Sequence, residues 1–252
     1  MTAPNSTPLA KLTAVEAKLF LRDAGAPLTV IGVPVALLLV FGLMPGVREP
    51  SPEHGGRSAL ATFIAPMSIA ILLAMLALTM FPTFVATYRE KGVLRRLSAS
   101  PVRPSKLLAA QLAVNLVAAA TTVLIILLLG ALVLGMALPE NAAGFALVTV
   151  LGTAALFSVG MLVAALSGSA RTAGGIGTLA FFPMLALGGV WVPKENLPGF
   201  LQDVADALPL GETFNGLRET AAGAAPQPLQ LIALLVTTAV FTGLSAKYFR
   251  WQ

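Results

Sequence analysis

Long apolar stretches separated by short charged segments run along the chain. Asp, Glu, Lys and Arg are absent from six stretches, at 24–47, 58–88, 107–139, 141–170, 172–193 and 220–246. Each stretch is long enough for one crossing of a bilayer, which takes roughly 20 apolar residues in a helix. Barrel strands would alternate in polarity about every second residue, whereas a run such as 121–138 does not alternate.

Lipid offers no hydrogen-bond partners, so an unbroken apolar run must satisfy its backbone internally, as a helix. The pattern therefore predicts an all-α membrane protein, a single transmembrane domain over residues 1–252. The six predicted spans lie near 27–45, 60–85, 107–137, 144–166, 174–192 and 228–246. Pro34, Pro66, Pro82 and Pro183 fall inside these spans and predict kinks, because proline cannot donate a backbone hydrogen bond.

Composition narrows the class of protein. The chain is 57% hydrophobic and 11% charged, with a mean hydropathy of +0.87. Soluble domains carry about 25% charged residues, so a chain with so few charges is not a soluble fold. Disordered chains are poor in apolar residues, so the high apolar content excludes a disordered chain. The sequence has no cysteine and one histidine, which excludes disulfides, thiolate metal sites and multi-histidine metal sites. The first apolar stretch begins too far from the N-terminus, and lacks a convincing cleavage site, for a signal peptide.

Basic residues predict the orientation. With six crossings both termini share one side, and twelve of the sixteen basic residues fall there: Lys11, Lys18, Arg22, Arg89, Lys91, Arg95, Arg96, Arg103, Lys106, Arg171, Lys247 and Arg250. The positive-inside rule puts that side in the cytoplasm. The net charge of +5 therefore indicates topology rather than a nucleic-acid partner, since the charges are spread over four segments.

Three segments outside the spans have patterns of their own. Residues 8–24 repeat apolar positions at helical spacing and predict an interfacial helix, although Glu16 falls near the apolar stripe; an ordinary helical leader is the alternative. Residues 193–227 predict amphipathic helices that dip into the outer interface as a re-entrant segment, with a solvated loop as the alternative. Residues 167–175 are interpreted as a short flexible connector; glycines that give mobility to the fifth span are the alternative.

The loop at 88–106 is the most informative segment. It carries six basic residues and one acid. A short helix here would place Val93, Leu94 and Leu97 on one side and Arg95 and Arg96 elsewhere, a pattern that favours docking on a cytoplasmic partner. A solvated basic loop that only sets topology is the alternative.

Several energy sources are absent from the sequence. No Gly-Lys dipeptide occurs, so the chain has no phosphate-binding loop of the Walker type, and no cofactor is expected on it. The predicted spans lack ionisable residues, which argues against a carrier driven by protons or sodium. A sodium site built from backbone carbonyl groups is the remaining alternative. A transporter of this kind needs an external motor.

The segment that runs from Glu90 to Pro101 resembles the signature of ABC-2-type transporter permeases: a Glu, a basic residue, a Gly, an aliphatic pair, a basic residue, a Leu, then Ser-Pro. A second similarity lies at 188–219, with Pro193, Leu197-Pro198, Leu208-Pro209 and Gly216-Leu217-Arg218. Within that family the chain looks closest to short bacterial drug- and lipid-export permeases.

The resemblance implies a half-transporter in the bacterial plasma membrane. Two copies, or one copy and a paralogue, would form the permease, and a separate ATPase would hold ATP and magnesium. The coupling helix it implies contains Glu90, Gly92, Val93, Leu94, Arg95, Arg96 and Leu97. A substrate path for an apolar or amphipathic compound would be lined by Phe81, Phe84, Phe181, Phe182 and Met184, for which packing or lipid contact is the alternative role. An ATP-independent carrier or channel, and a membrane scaffold or enzyme, remain competing hypotheses.

Overall fold

The computed structural model describes residues 8–23, 25–93, 96, 104–191 and 197–249. Within these ranges the helices are α1 (Pro8–Arg22), α2 (Gly25–Gly42), α3 (Leu60–Glu90), α4 (Pro104–Leu134), α5 (Ala142–Leu166), α6 (Ala170–Leu187), α7 (Gly199–Ala207), α8 (Pro209–Ala221) and α9 (Pro228–Tyr248). Strands β1 (Pro50–Ser51) and β2 (Arg57–Ser58) form an antiparallel hairpin. Helices α2, α3, α4, α5, α6 and α9 are long and apolar enough to cross a membrane, which confirms the six predicted spans.

Three prolines inside the spans follow wide helical turns. Segments of π-helix at Leu28–Gly32, Leu60–Ile64 and Met75–Met80 come just before Pro34, Pro66 and Pro82. In the second and third of these segments the residue before proline bonds five residues back, as Ala65 N–H does to the Leu60 carbonyl. In an α-helix the proline ring would clash with a carbonyl four residues back. A wider turn relieves that clash, so the helix continues through each proline.

Helix α3 is the centre of the bundle. Of its most apolar 18-residue window 72% is buried, against 22% for α4 and 17% for α9. Gly160 of α5 and Gly177 of α6 lie directly against the backbone carbonyls of Ala77 and Leu78 in α3. Small residues allow helices in lipid to approach this closely, where dispersion contacts replace the hydrophobic effect as the source of association. Helices α5 and α6 therefore pack closely against α3.

The start of α6 differs from the sequence-based prediction. The interpretation of residues 167–175 as a flexible connector is right for 167–169 and wrong for the rest. Helix α6 begins at Ala170, because the Ser169 hydroxyl accepts the Thr172 N–H at 3.2 Å and caps the first turn. The connector is only 167–169, and Gly174 and Gly175 lie inside the helix.

Between α6 and α9, the residues that the structure describes form two helices, α7 and α8. Leu208 is extended, with φ −86° and ψ 125°, and Pro209 supplies the first residue of α8. Helix α8 is buried along most of its length and packs on α5, where Thr213 lies against Gly152. Two amphipathic helices are thus present as predicted; their depth in a membrane, like that of α1, stays a prediction.

The loops at the β-hairpin end of the bundle are tied together, and we call this the hairpin end. Arg57 of β2 forms a salt bridge with Glu140, which precedes α5, and its Nη1 donates to the Ala221 carbonyl at 2.7 Å. Asn141 caps α5 through its side-chain oxygen and donates from Nδ2 to the Ala224 carbonyl at 2.9 Å. These bonds join the loops before α3, before α5 and after α8.

Candidate functional site

The last turn of α3 meets several other helix ends at the side of the bundle opposite the hairpin. We call Tyr88, Arg89 and Glu90 the junction. Helix α3 ends after Glu90, because Gly92 adopts a positive φ of 67°, which favours glycine, and its N–H bonds the Arg89 carbonyl at 2.9 Å. The chain then turns, and the Arg96 N–H bonds the Gly92 carbonyl at 3.1 Å. The junction therefore lies directly before the basic segment singled out by the sequence.

Tyr88 connects α3 with α1. Its hydroxyl donates to Glu16 Oε2 at 2.6 Å, and Glu16 is only 5% exposed. Burial raises the pKa of the Glu16 carboxyl, and the hydrogen bond from Tyr88 opposes part of that rise. Glu16 interrupts the apolar stripe of α1 in the sequence. It faces inward because it accepts this hydrogen bond from Tyr88.

Arg89 connects α3 with the end of α5. Its Nη1 donates to the Ser167 carbonyl at 2.6 Å and to the Ala164 carbonyl at 3.1 Å. The last carbonyls of a helix have no partner within the helix, and a cation is favoured there by the helix dipole. The guanidinium also lies over the Phe249 ring, 5.1 Å from its centroid, just beyond the end of α9.

Glu90 connects α3 with the start of α6. Its Oε2 accepts the Ala170 N–H at 3.2 Å. The first N–H groups of a helix lack partners within the helix, and an anion is favoured there. Adjacent residues of opposite charge thus contact the two helix ends of opposite polarity on either side of the connection 167–169.

The predicted coupling residues are described only in part. Glu90 is exposed in the last turn of α3, Gly92 forms the turn after it, Val93 is half-buried and Arg96 is exposed. Leu94, Arg95 and Leu97 lie outside the described residues. The predicted apolar face of a coupling helix therefore stays a prediction.

Sequence reasoning missed the contacts of Glu16, Tyr88 and Arg89. Two signals were available. Glu16 sits near the apolar stripe of an amphipathic helix, and Arg89 directly follows an apolar span. A charge at such a position is costly without a partner, so each pointed to a bond within the chain.

Among the predicted path residues burial varies. Phe81 is fully buried and contacts Phe157 edge to face, with ring centroids 5.5 Å apart. Phe181 is buried against Phe182, whereas Phe182 is 50% exposed and lies 6.0 Å from the Trp191 ring. Phe84 and Met184 are half-buried. Phe182 is thus the predicted path residue most available on the surface of this chain, and the path itself stays a prediction.

An apolar cavity of about 560 Å³ lies elsewhere, between α3, α4, α5 and α9. Leu112, Leu116, Val150, Phe157 and Met161 are among its lining residues. Thr149 and Thr153 also line it, but each hydroxyl bonds the carbonyl four residues back in its own helix. The predicted path residues do not line this cavity.

Comparison with known proteins gives two findings. A family model described as ABC-2 type transporter matches residues 9–221. A protein of Bacillus subtilis (strain 168) that carries the name transport permease YvfS is 24% identical over 243 residues, which is 96% of each chain. The matched region runs from α1 to the end of α8 and includes the junction.

Proposed function

Since the chain belongs to the ABC-2 type transporter family, we propose that it is the membrane-spanning permease subunit of an ATP-binding-cassette exporter. In this proposal a separate ATPase subunit binds the basic segment after Gly92 and hydrolyses ATP with magnesium. Two permease subunits, identical or paralogous, form the transport unit. The observation that carries the proposal is the junction, where the segment expected to bind the ATPase meets the ends of several helices.

The distribution of basic residues supports a cytoplasmic position for the junction. Tyr88 reaches α1 and Arg89 reaches the residue after α9, so the first and last described helices end at the junction side of the bundle. Lys11, Lys18 and Lys247 lie on these helices. The positive-inside rule supports a cytoplasmic junction and two cytoplasmic termini in a bacterial plasma membrane.

The mechanism needs ATP to favour one of two conformations. ATP binding draws the two ATPases together, and their displacement moves the segment after Gly92. A conformational change follows only if the nucleotide-bound ATPases stabilise one state of the permease over the other. Because α3 is the most buried span and begins at the hairpin end, movement of its last turn is transmitted across the membrane.

The proposed substrate is an apolar or amphipathic compound: a drug, a lipid or a glycolipid. The spans offer aromatic and aliphatic surface, with Phe182 and Trp191 exposed near the hairpin end of α6. Sites for such compounds are mostly apolar with few polar groups.

Reconstitution with the cognate ATPase tests the proposal. We expect Leu94→Asp and Arg95→Glu to abolish the effect of the permease on ATP hydrolysis and to weaken copurification of the ATPase. Arg48→Glu, an exposed charge reversal near the hairpin end, is the matched control and leaves both unchanged. Normal ATPase binding and activity in both coupling variants would refute the assignment. Export of a lipophilic dye or fluorescent phospholipid from liposomes by the chain alone would support the ATP-independent carrier instead.

A further inference from the structure

Three consecutive side chains at the end of α3 bond three different elements. We infer that the junction fastens α1, the end of α5 and the start of α6 to α3, so that a displacement of the segment after Gly92 moves α3, α5 and α6 as one body. Tyr88, Arg89 and Glu90 are positioning residues in this inference and contact neither nucleotide nor substrate. The inference rests on the proposed function for the source of the displacement.

Arg89 reaches α5 through one nitrogen. Its Nη1 donates to two carbonyls, those of Ala164 and Ser167, whereas its Nε and Nη2 are buried and make no hydrogen bond within the described part of the chain. The guanidinium carbon lies 5.1 Å from the centroid of the Phe249 ring, which adds a cation–π contact. A cation with several donors on one nitrogen is therefore what the two carbonyls require. Lys at this position keeps such a donor, whereas Met removes it.

The Glu90 contact complements it. Arg89 holds the carbonyl end of α5, and Glu90 holds the amide end of α6 through Ala170. Only residues 167–169 separate the two helices, and Ser167 is itself buried with its hydroxyl on the Val163 carbonyl at 2.7 Å. Because this short connection is bonded to α3 at both of its ends, the end of α5 and the start of α6 move together with α3.

A second set of contacts makes the three helices rigid. Gly160 and Gly177 fix α5 and α6 against Ala77 and Leu78, twelve residues before Glu90 on α3. At 1.5 Å per residue this level lies about 18 Å from the junction. One level of contact would act as a pivot, whereas two levels fix both the position and the direction of a helix. Along α5 the two contacts are at Gly160 and Ser167, and along α6 they are at Ala170 and Gly177, about 10 Å apart in each helix.

Hydrogen exchange on the chain alone, in lipid nanodiscs, tests the Glu90 contact without any ATPase. Glu90→Ala removes the acceptor of the Ala170 N–H, and we expect amide exchange over 168–173 to speed up about tenfold, from the low end of the range for bonds to charged groups. Glu90→Gln keeps an acceptor oxygen and gives an intermediate rate. Arg171→Gln, an exposed charge next to Ala170, keeps the original rate. An unchanged rate in Glu90→Ala overturns the inference.

Distance measurements on the complex test the transmission. The chain has no cysteine, so Gly168→Cys and Val117→Cys carry the only spin labels on the subunit when the ATPase is also made cysteine-free, and an excess of unlabelled subunit keeps one labelled pair in each complex. Both positions are exposed, and Val117 lies on α4, which the junction does not contact through any described bond. We expect Mg-ATP to change this distance in the original complex, and Arg89→Met to reduce the change by at least half while the ATPase still copurifies.

The outcomes separate the two proposals. A full ATP-driven change in Arg89→Met overturns the inference and leaves the proposed function intact. Failure of the ATPase to bind the original chain overturns the proposed function, while the exchange rates still decide whether Glu90 holds α6. Arg89→Lys keeps a cationic donor at this position: retention of most of the change in this variant supports the carbonyl contact as the cause of the loss in Arg89→Met, and a loss as large as in Arg89→Met contradicts it.

Discussion

Gly175 and Gly177 lie on opposite faces of α6, and substitution by alanine should change the stability of the fold in opposite directions at these two positions. A Cβ at Gly177 would overlap the Leu78 carbonyl of α3, whereas a Cβ at Gly175 meets no atom within 4 Å. Alanine is favoured over glycine in a helix interior by about 1 kcal/mol. Gly175→Ala should therefore raise the free energy of unfolding by up to about 1 kcal/mol.

At Gly177 the clash outweighs that gain. Overpacking a well-packed core costs about 1–3 kcal/mol. The upper end applies because the obstructing atom belongs to a backbone that cannot rotate away, so the net loss after the gain in helix propensity is about 2 kcal/mol. The two substitutions add the same methyl group two residues apart, so each controls for the other.

Unfolding in mixed micelles by increasing dodecyl sulfate, followed by circular dichroism, measures both values. The expected order of stability is Gly175→Ala, then the original chain, then Gly177→Ala. If Gly177→Ala is as stable as Gly175→Ala, α6 does not approach α3 as closely as described, and the second level of contact in the rigid body is lost.

Three further predictions concern other contacts. Gly160→Ala should destabilise the chain by about 2 kcal/mol, as Gly177→Ala does, because its Cβ would overlap the Ala77 carbonyl. A variant as stable as the original chain in the same micelle titration would contradict this. A double-mutant cycle of Arg57→Gln and Glu140→Gln should give a coupling energy of no more than about 1 kcal/mol, since the Glu140 side chain is 62% exposed. A coupling energy that falls to zero only at high salt would agree with this prediction, and a larger coupling energy would contradict it. Because burial raises the pKa of Glu16 in the folded state, that state holds the proton more tightly, and the stability of the fold decreases as the pH rises above the ordinary pKa of 4.5. Glu16→Gln, which keeps an acceptor for Tyr88, should therefore gain stability relative to the original chain as the pH rises from 4.5, while Glu49→Gln, an exposed control, should not. Parallel curves of stability against pH for all three chains would refute the burial of Glu16.

The crossing helices were predictable because lipid leaves the backbone few options. A stretch such as 107–139 without a charge must form a helix, and α4 covers most of it, as the structure confirms. Helix ends were less predictable because they depend on single side-chain bonds. The start of α6 is decided by the Ser169 hydroxyl and by Glu90, eighty residues earlier in the chain. Hydropathy responds to neither bond, which is why the connector was predicted too long.

The junction shows a second limit of sequence patterns. Charge near the end of a span has two uses that look the same in sequence: it sets topology, or it bonds another helix end. Arg89 and Lys91 are both basic residues counted toward orientation, yet Arg89 is half-buried on two carbonyls and Lys91 is exposed. The difference arises from position, because Arg89 lies in the last turn of α3 and reaches the end of α5, whereas Lys91 lies beyond the end of that helix. A test of orientation should therefore substitute Lys91, and a test of transmission should substitute Arg89. A loss of function from Arg89→Met with unchanged topology would separate the two roles of charge within three residues.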